Sequence, residues 1–129
     1  MYRENVVERP LTESFEQLQD SWDFAVTYRE DGVRLDRAYA NFLDAARARP
    51  VRHQAYHAAF SYPGEVQAPR VTQPVLILNT HGSLAEQTRA LAPYFPDATV
   101  VEIPELHHGI FDVGAALLAE HARPFLDAP

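Results

Sequence analysis

No cysteine and no lysine occur among the 129 residues. The first absence excludes disulfides, thiolate nucleophiles and zinc-ribbon sites. The second excludes Schiff-base chemistry and the phosphate-gripping lysine of a P-loop. All 11 basic residues are therefore arginine, and they are scattered through a chain of net charge -7. Neither a nucleic-acid surface nor an anionic membrane surface is indicated. Glycine is scarce at 5 residues, and no G-x-G-x-x-G follows a strand-like run, so no dinucleotide cofactor is expected. No apolar run reaches the roughly 20 residues of a transmembrane helix. The opening MYRENVVERP has no apolar core of signal-peptide type. What is present, 47% hydrophobic and 22% charged residues, describes a globular chain rather than a disordered one. A soluble, cytoplasmic protein with one ordinary domain's core is the expectation.

The first half reads as helical. From Leu11 to about Tyr28, Phe15, Leu18, Trp22, Ala25 and Val26 recur at helical spacing, and Ser14 with Gln17 fits a capping box. Asp31-Gly32 is a stop signal. Leu35, Ala38, Tyr39, Phe42, Leu43 and Ala46 predict a second helix ending before Pro50, and a third covers roughly 51–60. Residues 1–64 thus form an amphipathic, aromatic-rich helical segment, a small bundle by itself or a lid if joined to a sheet. Residues 65–73 carry no strong period and read as a linker.

After the linker the character changes. Pro74-Val-Leu-Ile-Leu-Asn79 is a continuous apolar run of strand length, the pattern of a strand covered on both faces. Ser83 with Glu86 forms a second capping box, and Leu84, Thr88, Leu91, Ala92 and Phe95 continue that helix to Pro96-Asp97. Residues 98–103 are another strand. This strand–helix–strand unit closes best as a right-handed parallel crossover, so the fold class is α/β. A final helix carries Ala115, Leu118, Ala119, Ala122 and Phe125 on one face, with Asp112 placed to cap it and Pro124 placed to disturb its last turn. Two parallel strands are too few for a stable sheet and leave apolar edges exposed. Either another chain supplies more strands, or residues 74–129 are the tail of a longer protein.

Between the second strand and the last helix lies Glu105-Leu-His-His-Gly-Ile-Phe-Asp112. Histidine's unperturbed pKa lies nearest neutrality, so one on a strand-to-helix loop is a natural proton shuttle. On the residues alone, ordinary loop histidines are the more common case. The order of elements and these motifs, Pro74-Val-Leu-Ile-Leu-Asn, Val-Glu-Ile-Pro104 and the histidine loop, resemble the C-terminal part of the alpha/beta-hydrolase fold family. The likeness covers residues 74–126, with residues 11–64 similar to that family's helical lid in character only. It implies a partial alpha/beta-hydrolase-like fold, with His108 at the triad histidine position and His107 where a glycine is frequent. It further implies hydrolysis of an ester, epoxide, amide or carbon–carbon bond in a small apolar substrate, with no cofactor.

The family's serine sits in G-x-S-x-G, which is absent here. Ser83, in His81-Gly-Ser-Leu-Ala85, lacks the flanking glycines and reads better as a helix cap. It also occupies the position where the family usually carries its acid. Nucleophile, usual acid and oxyanion hole are thus unaccounted for. The chain reads as an incomplete hydrolase, completed by an upstream segment, or as a non-catalytic partner that self-associates through its strands. An independent helical binding module with a small sheet is a third reading. His53-Gln-Ala-Tyr-His57 has metal-ligand spacing on a helix, but Gln54 replaces the glutamate of H-E-x-x-H, so no metal is assigned. Trp22, Phe24, Tyr28, Tyr39, Phe42, Tyr56, Phe60 and Tyr62 are read first as the core of a helical layer and second as the wall of a substrate cavity.

Overall fold

The structure, a computed structural model, describes residues 12–107 and 109–128; residues 1–11, His108 and Pro129 lie outside the described residues. The chain divides into two units, Met1–Tyr62 and Pro63–Pro129.

The first unit is helical. Helix α1 (Glu16–Trp22) widens into a π-helical turn over Asp23–Thr27, where the Tyr28 amide reaches back five residues to the Asp23 carbonyl. The expected capping box at Ser14 does not form. Phe15 takes the cap position, and the Ser14 hydroxyl accepts the Glu16 amide at 3.3 Å. Gln17 is engaged elsewhere, because Arg49 donates to both its backbone carbonyl (3.0 Å) and its side-chain Oε1 (2.7 Å). That fork fastens α1 to the C-terminal end of α2 (Leu35–Ala48).

Between the two helices the chain reverses at Asp31-Gly32, where Gly32 takes a φ of 89° that only glycine adopts without strain. Arg29 closes the reversal by donating to the carbonyls of Val26 and Val33. Val26, Val33 and Ala38 are the buried core here, and Ala38 is fully inaccessible, so a larger side chain has no room there. Trp22 meets Tyr39 and Phe42 edge-on, at centroid distances of 5.5 and 5.2 Å. Helix α3 (Arg52–Ser61) stacks Tyr56 on Phe60 and holds the Arg52 guanidinium over the Tyr56 ring.

The second unit is mixed α/β. Most of the stretch read as a linker, 65–73, is helical instead: two short turns, α4 (Gly64–Gln67) and a 3-10 turn at Ala68–Arg70, run from Gly64 to Arg70. Strand β1 (Val75–Thr80), helix α5 (Ala85–Leu91), a 3-10 turn (Ala92–Tyr94) and strand β2 (Ala98–Ile103) follow. The strands are parallel neighbours, paired from Val75 with Ala98 to Thr80 with Ile103, and α5 lies on the crossover between them. A parallel pair demands such a crossover, since no tight turn can bring the chain back to the same end. Helices α5 and α7 both contact β1. Among the described residues the sheet has these two strands alone.

Three expectations need correction. The run at 74–79, read as a strand covered on both faces, is only half-buried along β1, where Asn79 alone is buried; in β2 Ile103 is buried and Val100 is 38% exposed. Ser83 does not cap α5. A turn closed by the Ala85 amide on the Gly82 carbonyl delays the helix by one residue, so Leu84 stands at the cap and no side chain caps it. Asp112 does not cap the last helix either; it lies inside a separate turn, α6 (Ile110–Val113), and Gly114 precedes α7 (Ala115–Leu126).

Gly114 is required by space. A Cβ there would collide with the Leu106 side chain and the Ile110 carbonyl oxygen. Pro124 lies within α7, which closes after it through the Asp127 amide on the Arg123 carbonyl. Its ring removes one amide that would otherwise bond the Glu120 carbonyl, close to the helix's end. Among the described residues no helix is long and apolar enough to cross a membrane.

Candidate functional site

Both parallel strands end at the same edge of the sheet, and open α/β sheets present their ligand crevices at the carboxyl ends of such strands. Here two loops leave that edge. The first, after β1, carries His81, Gly82 and Ser83. The second, after β2, carries Pro104, Glu105, Leu106 and His107. Leu106 is the hinge of the second loop. Its side chain is buried against Gly114, and its amide bonds the Ile103 carbonyl.

Two hydrogen bonds join the loops. The His81 amide donates to the Leu106 carbonyl at 2.8 Å, extending the strand pairing beyond Thr80 and Ile103. In return His107 Nδ1 lies 3.1 Å from the His81 carbonyl oxygen. A carbonyl oxygen only accepts, so Nδ1 carries the proton, and the lone pair of a neutral His107 ring is on Nε2. The two imidazole centroids are 4.8 Å apart, with ring planes 33° from parallel. Both residues are exposed.

Beneath this edge a polar cluster holds the sheet and α5 together. Asn79 is 3% exposed, and its Nδ2 donates to both carboxylate oxygens of Glu102 (3.0 and 2.9 Å) and to the Ala85 carbonyl. Three acceptor-only oxygens fix which end of the amide faces them. Arg89, on α5, closes a bidentate pair on the same carboxylate at 2.8 Å. The Arg89 guanidinium first, and the Asn79 amide second, hold the Glu102 carboxyl below its ordinary value of 4.5.

A lowered carboxyl pKa contributes stability that is fully present above the unfolded value and lost as pH falls through the folded one. Replacing Glu102 by glutamine is therefore expected to lower the urea midpoint at neutral pH and to narrow its difference from the parent below about pH 4.5. Parallel urea titrations across pH check this. A difference independent of pH would show that shape rather than charge matters at Glu102.

The residues singled out from sequence are distributed as follows. His108, the expected triad histidine, lies outside the described residues, one position beyond His107. Ser83 is exposed on the loop after β1. Ser61 donates its hydroxyl to the His57 carbonyl at 2.7 Å within α3, which occupies its proton. His53 and His57 lie one turn apart on α3, and His53 Nδ1 is buried with no hydrogen-bond partner among the described residues. Among the described residues no group of three or more histidine, aspartate or glutamate side chains is placed to hold a metal ion. His81 is the residue that sequence reasoning missed. It was read only as part of a failed G-x-S-x-G, although a histidine one position past a strand that runs parallel to the strand of the histidine loop was the available signal.

Comparison with protein-family models, with curated proteins and with solved structures gives no match.

Proposed function

We propose that this chain is an alpha/beta-hydrolase-like protein. In this reading the second unit supplies the last two strands and the histidine loop of a larger sheet, and the first unit supplies lid-like helices. The observation that carries it is the parallel β1–α5–β2 unit with a histidine loop bound to the exit of β1 at the carboxyl edge of the sheet. The substrate class is a small apolar ester, epoxide, amide or carbon–carbon compound. His108 is the general base, and nucleophile and acid come from strands that this sequence does not contain.

Two outcomes test it. The chain by itself is expected to hydrolyse short acyl esters no faster than its His108→Ala variant, because a histidine without its nucleophile and oxyanion hole supplies little of the rate. Saturable turnover abolished by His108→Ala would show that a nucleophile is present, with Ser83 and Ser61 the first to replace. The second is the reading frame immediately upstream: a G-x-S-x-G on a strand-to-helix turn there supports the proposal, and an unrelated sequence sinks it.

A second reading is favoured by the exposure of β2. A non-catalytic protein that associates through its open strand edges accounts for Val100 and for a sheet of two strands without invoking chemistry.

A further inference from the structure

We propose that two copies of this chain pair β2 with β2, antiparallel, across a two-fold axis. The proposal rests on the second reading above, association through open strand edges, and names the edge and its occupant. Three observations carry it.

The first is the phase of the ladder. The Val75 amide donates to the Asp97 carbonyl, and Val75 stands opposite Ala98. In a parallel pair, a residue whose backbone groups cross the gap bonds the two neighbours of its partner, and the partner's own groups point away. Thr99, Val101 and Ile103 therefore turn their backbone groups to β1, while Ala98, Val100 and Glu102 turn theirs outward. No third strand lies on that side among the described residues. The outward row is what an antiparallel partner takes up, each facing pair exchanging two bonds.

The second is which edge is open. Helices α5 and α7 both contact β1, which is half-buried or buried along its whole length. Strand β2 is exposed at Thr99, Val100 and Glu102. It also carries none of the usual guards of an edge strand. It has no lysine and no proline, and its only charge, the Glu102 carboxylate, is already held by Arg89 and Asn79.

The third is charge and closure. Every added copy brings a further net charge of -7, which opposes growth without limit. Pairing the same edge of both copies uses that edge up and stops at two. Such a pair has to be antiparallel, because parallel strands related by a two-fold axis set amide against amide. With full overlap Val100 faces Val100 of the second copy, and Ala98 faces Glu102. The two Glu102 residues then stand about 13 Å apart at roughly 3.4 Å per residue, more than the roughly 10 Å screening length of 0.1 M salt. The interface is one strand wide, so pairing is weak and fills as concentration rises.

The full chain is followed by sedimentation velocity and by residue-resolved amide exchange at rising concentration. A monomer–dimer shift is expected, in which the Ala98, Val100 and Glu102 amides slow while those of Thr99, Val101 and Ile103 keep their rates. Val100→Pro removes an outward amide and leaves the ladder to β1 whole, since proline is accepted on an edge strand where the amide faces solvent. It is expected to weaken the dimer at least about tenfold, because neither copy can then donate from position 100. Val100→Lys keeps the backbone and adds a charge at an exposed position. It is expected to weaken the dimer as well, and it guards against a folding defect in the proline variant. Slowing at Leu76, Leu78 and Thr80 instead, the outward amides of β1, overturns this proposal and leaves the association reading standing. Assembly beyond two copies, or a dimer that both variants leave intact, overturns it too. A parent that stays monomeric at every concentration overturns both.

Discussion

Replacing Ile103 by alanine is expected to abolish cooperative unfolding of the Pro63–Pro129 unit. Ile103 is 1% exposed and is the one large side chain fully buried among the described residues. Large-to-small changes at such sites cost about 2–5 kcal/mol, from lost transfer energy and from the cavity left behind. A hydrophobic core of this size supplies no more than roughly 3–5 kcal/mol in all. The single substitution therefore removes most of what holds β2, the histidine loop and α6 in place. Ile103→Val, which loses one methylene and costs about 1 kcal/mol, is expected to keep a transition with a lower midpoint. Denaturant titrations followed by circular dichroism check both. A parent-like midpoint for Ile103→Ala would show that the unit draws its stability from elsewhere.

The purified chain is expected to self-associate or to remain loosely structured across its strands. Each strand is hydrogen-bonded on one side only among the described residues, so the other side presents unpaired amides and carbonyls. The side chains add to this: Val100 is 38% exposed, and all four apolar residues from Val75 to Leu78 are only half-buried. Burying such surface gains roughly 25 cal/mol per Å², while the net charge of -7 opposes association without pairing a single backbone group. Sedimentation velocity is expected to show species larger than the monomer, and amide exchange to show weak protection along Val75–Leu78 and Val100–Ile103. Supplying in trans a segment that pairs with these edges is expected to raise that protection. A monodisperse monomer with slow exchange in both strands would remove the case for an incomplete sheet and favour a self-sufficient domain.

Much of the architecture was legible because the signals were local. The apolar run at 74–79 and the run at 98–103 emerged as β1 and β2, shifted by at most one residue, and the helical period marked α2 and α3 closely. The helix starts were read less well. Ser14 and Ser83 each satisfied a capping pattern, yet in neither case does the serine occupy the cap. In the first, Arg49, remote in sequence, takes Gln17 away. In the second, a turn at Gly82 moves the helix by one residue. Capping patterns are read from four residues, whereas the competitor was 32 residues away in one case. The site was harder still. Nothing in the spacing of His81 and His107, 26 residues apart, reveals that strand pairing brings their loops together. Nothing in the sequence marks Glu102, and only the pairing with β1 shows that Asn79 and Arg89 converge on it.

That convergence also decides which of several near-equivalent pairings the strands adopt. Val75–Leu78 and Val100–Val101 are interchangeable as apolar residues, and a parallel ladder of such side chains tolerates slippage. Asn79 and Glu102 do not tolerate it. They are direct partners in the observed alignment. A shift of one residue sets the Asn79 amide against Val101 or Ile103, and an amide in a buried position without an acceptor costs about 1–3 kcal/mol. The polar pair thus selects one alignment out of a set that hydrophobicity leaves nearly degenerate, in the way that a single buried asparagine selects one alignment of a coiled coil. The outer edges of β1 and β2 have no equivalent cross-strand lock among the described contacts. A strand arriving there is held by backbone bonds and apolar contact alone, and nothing in this sheet dictates where along the edge it stops.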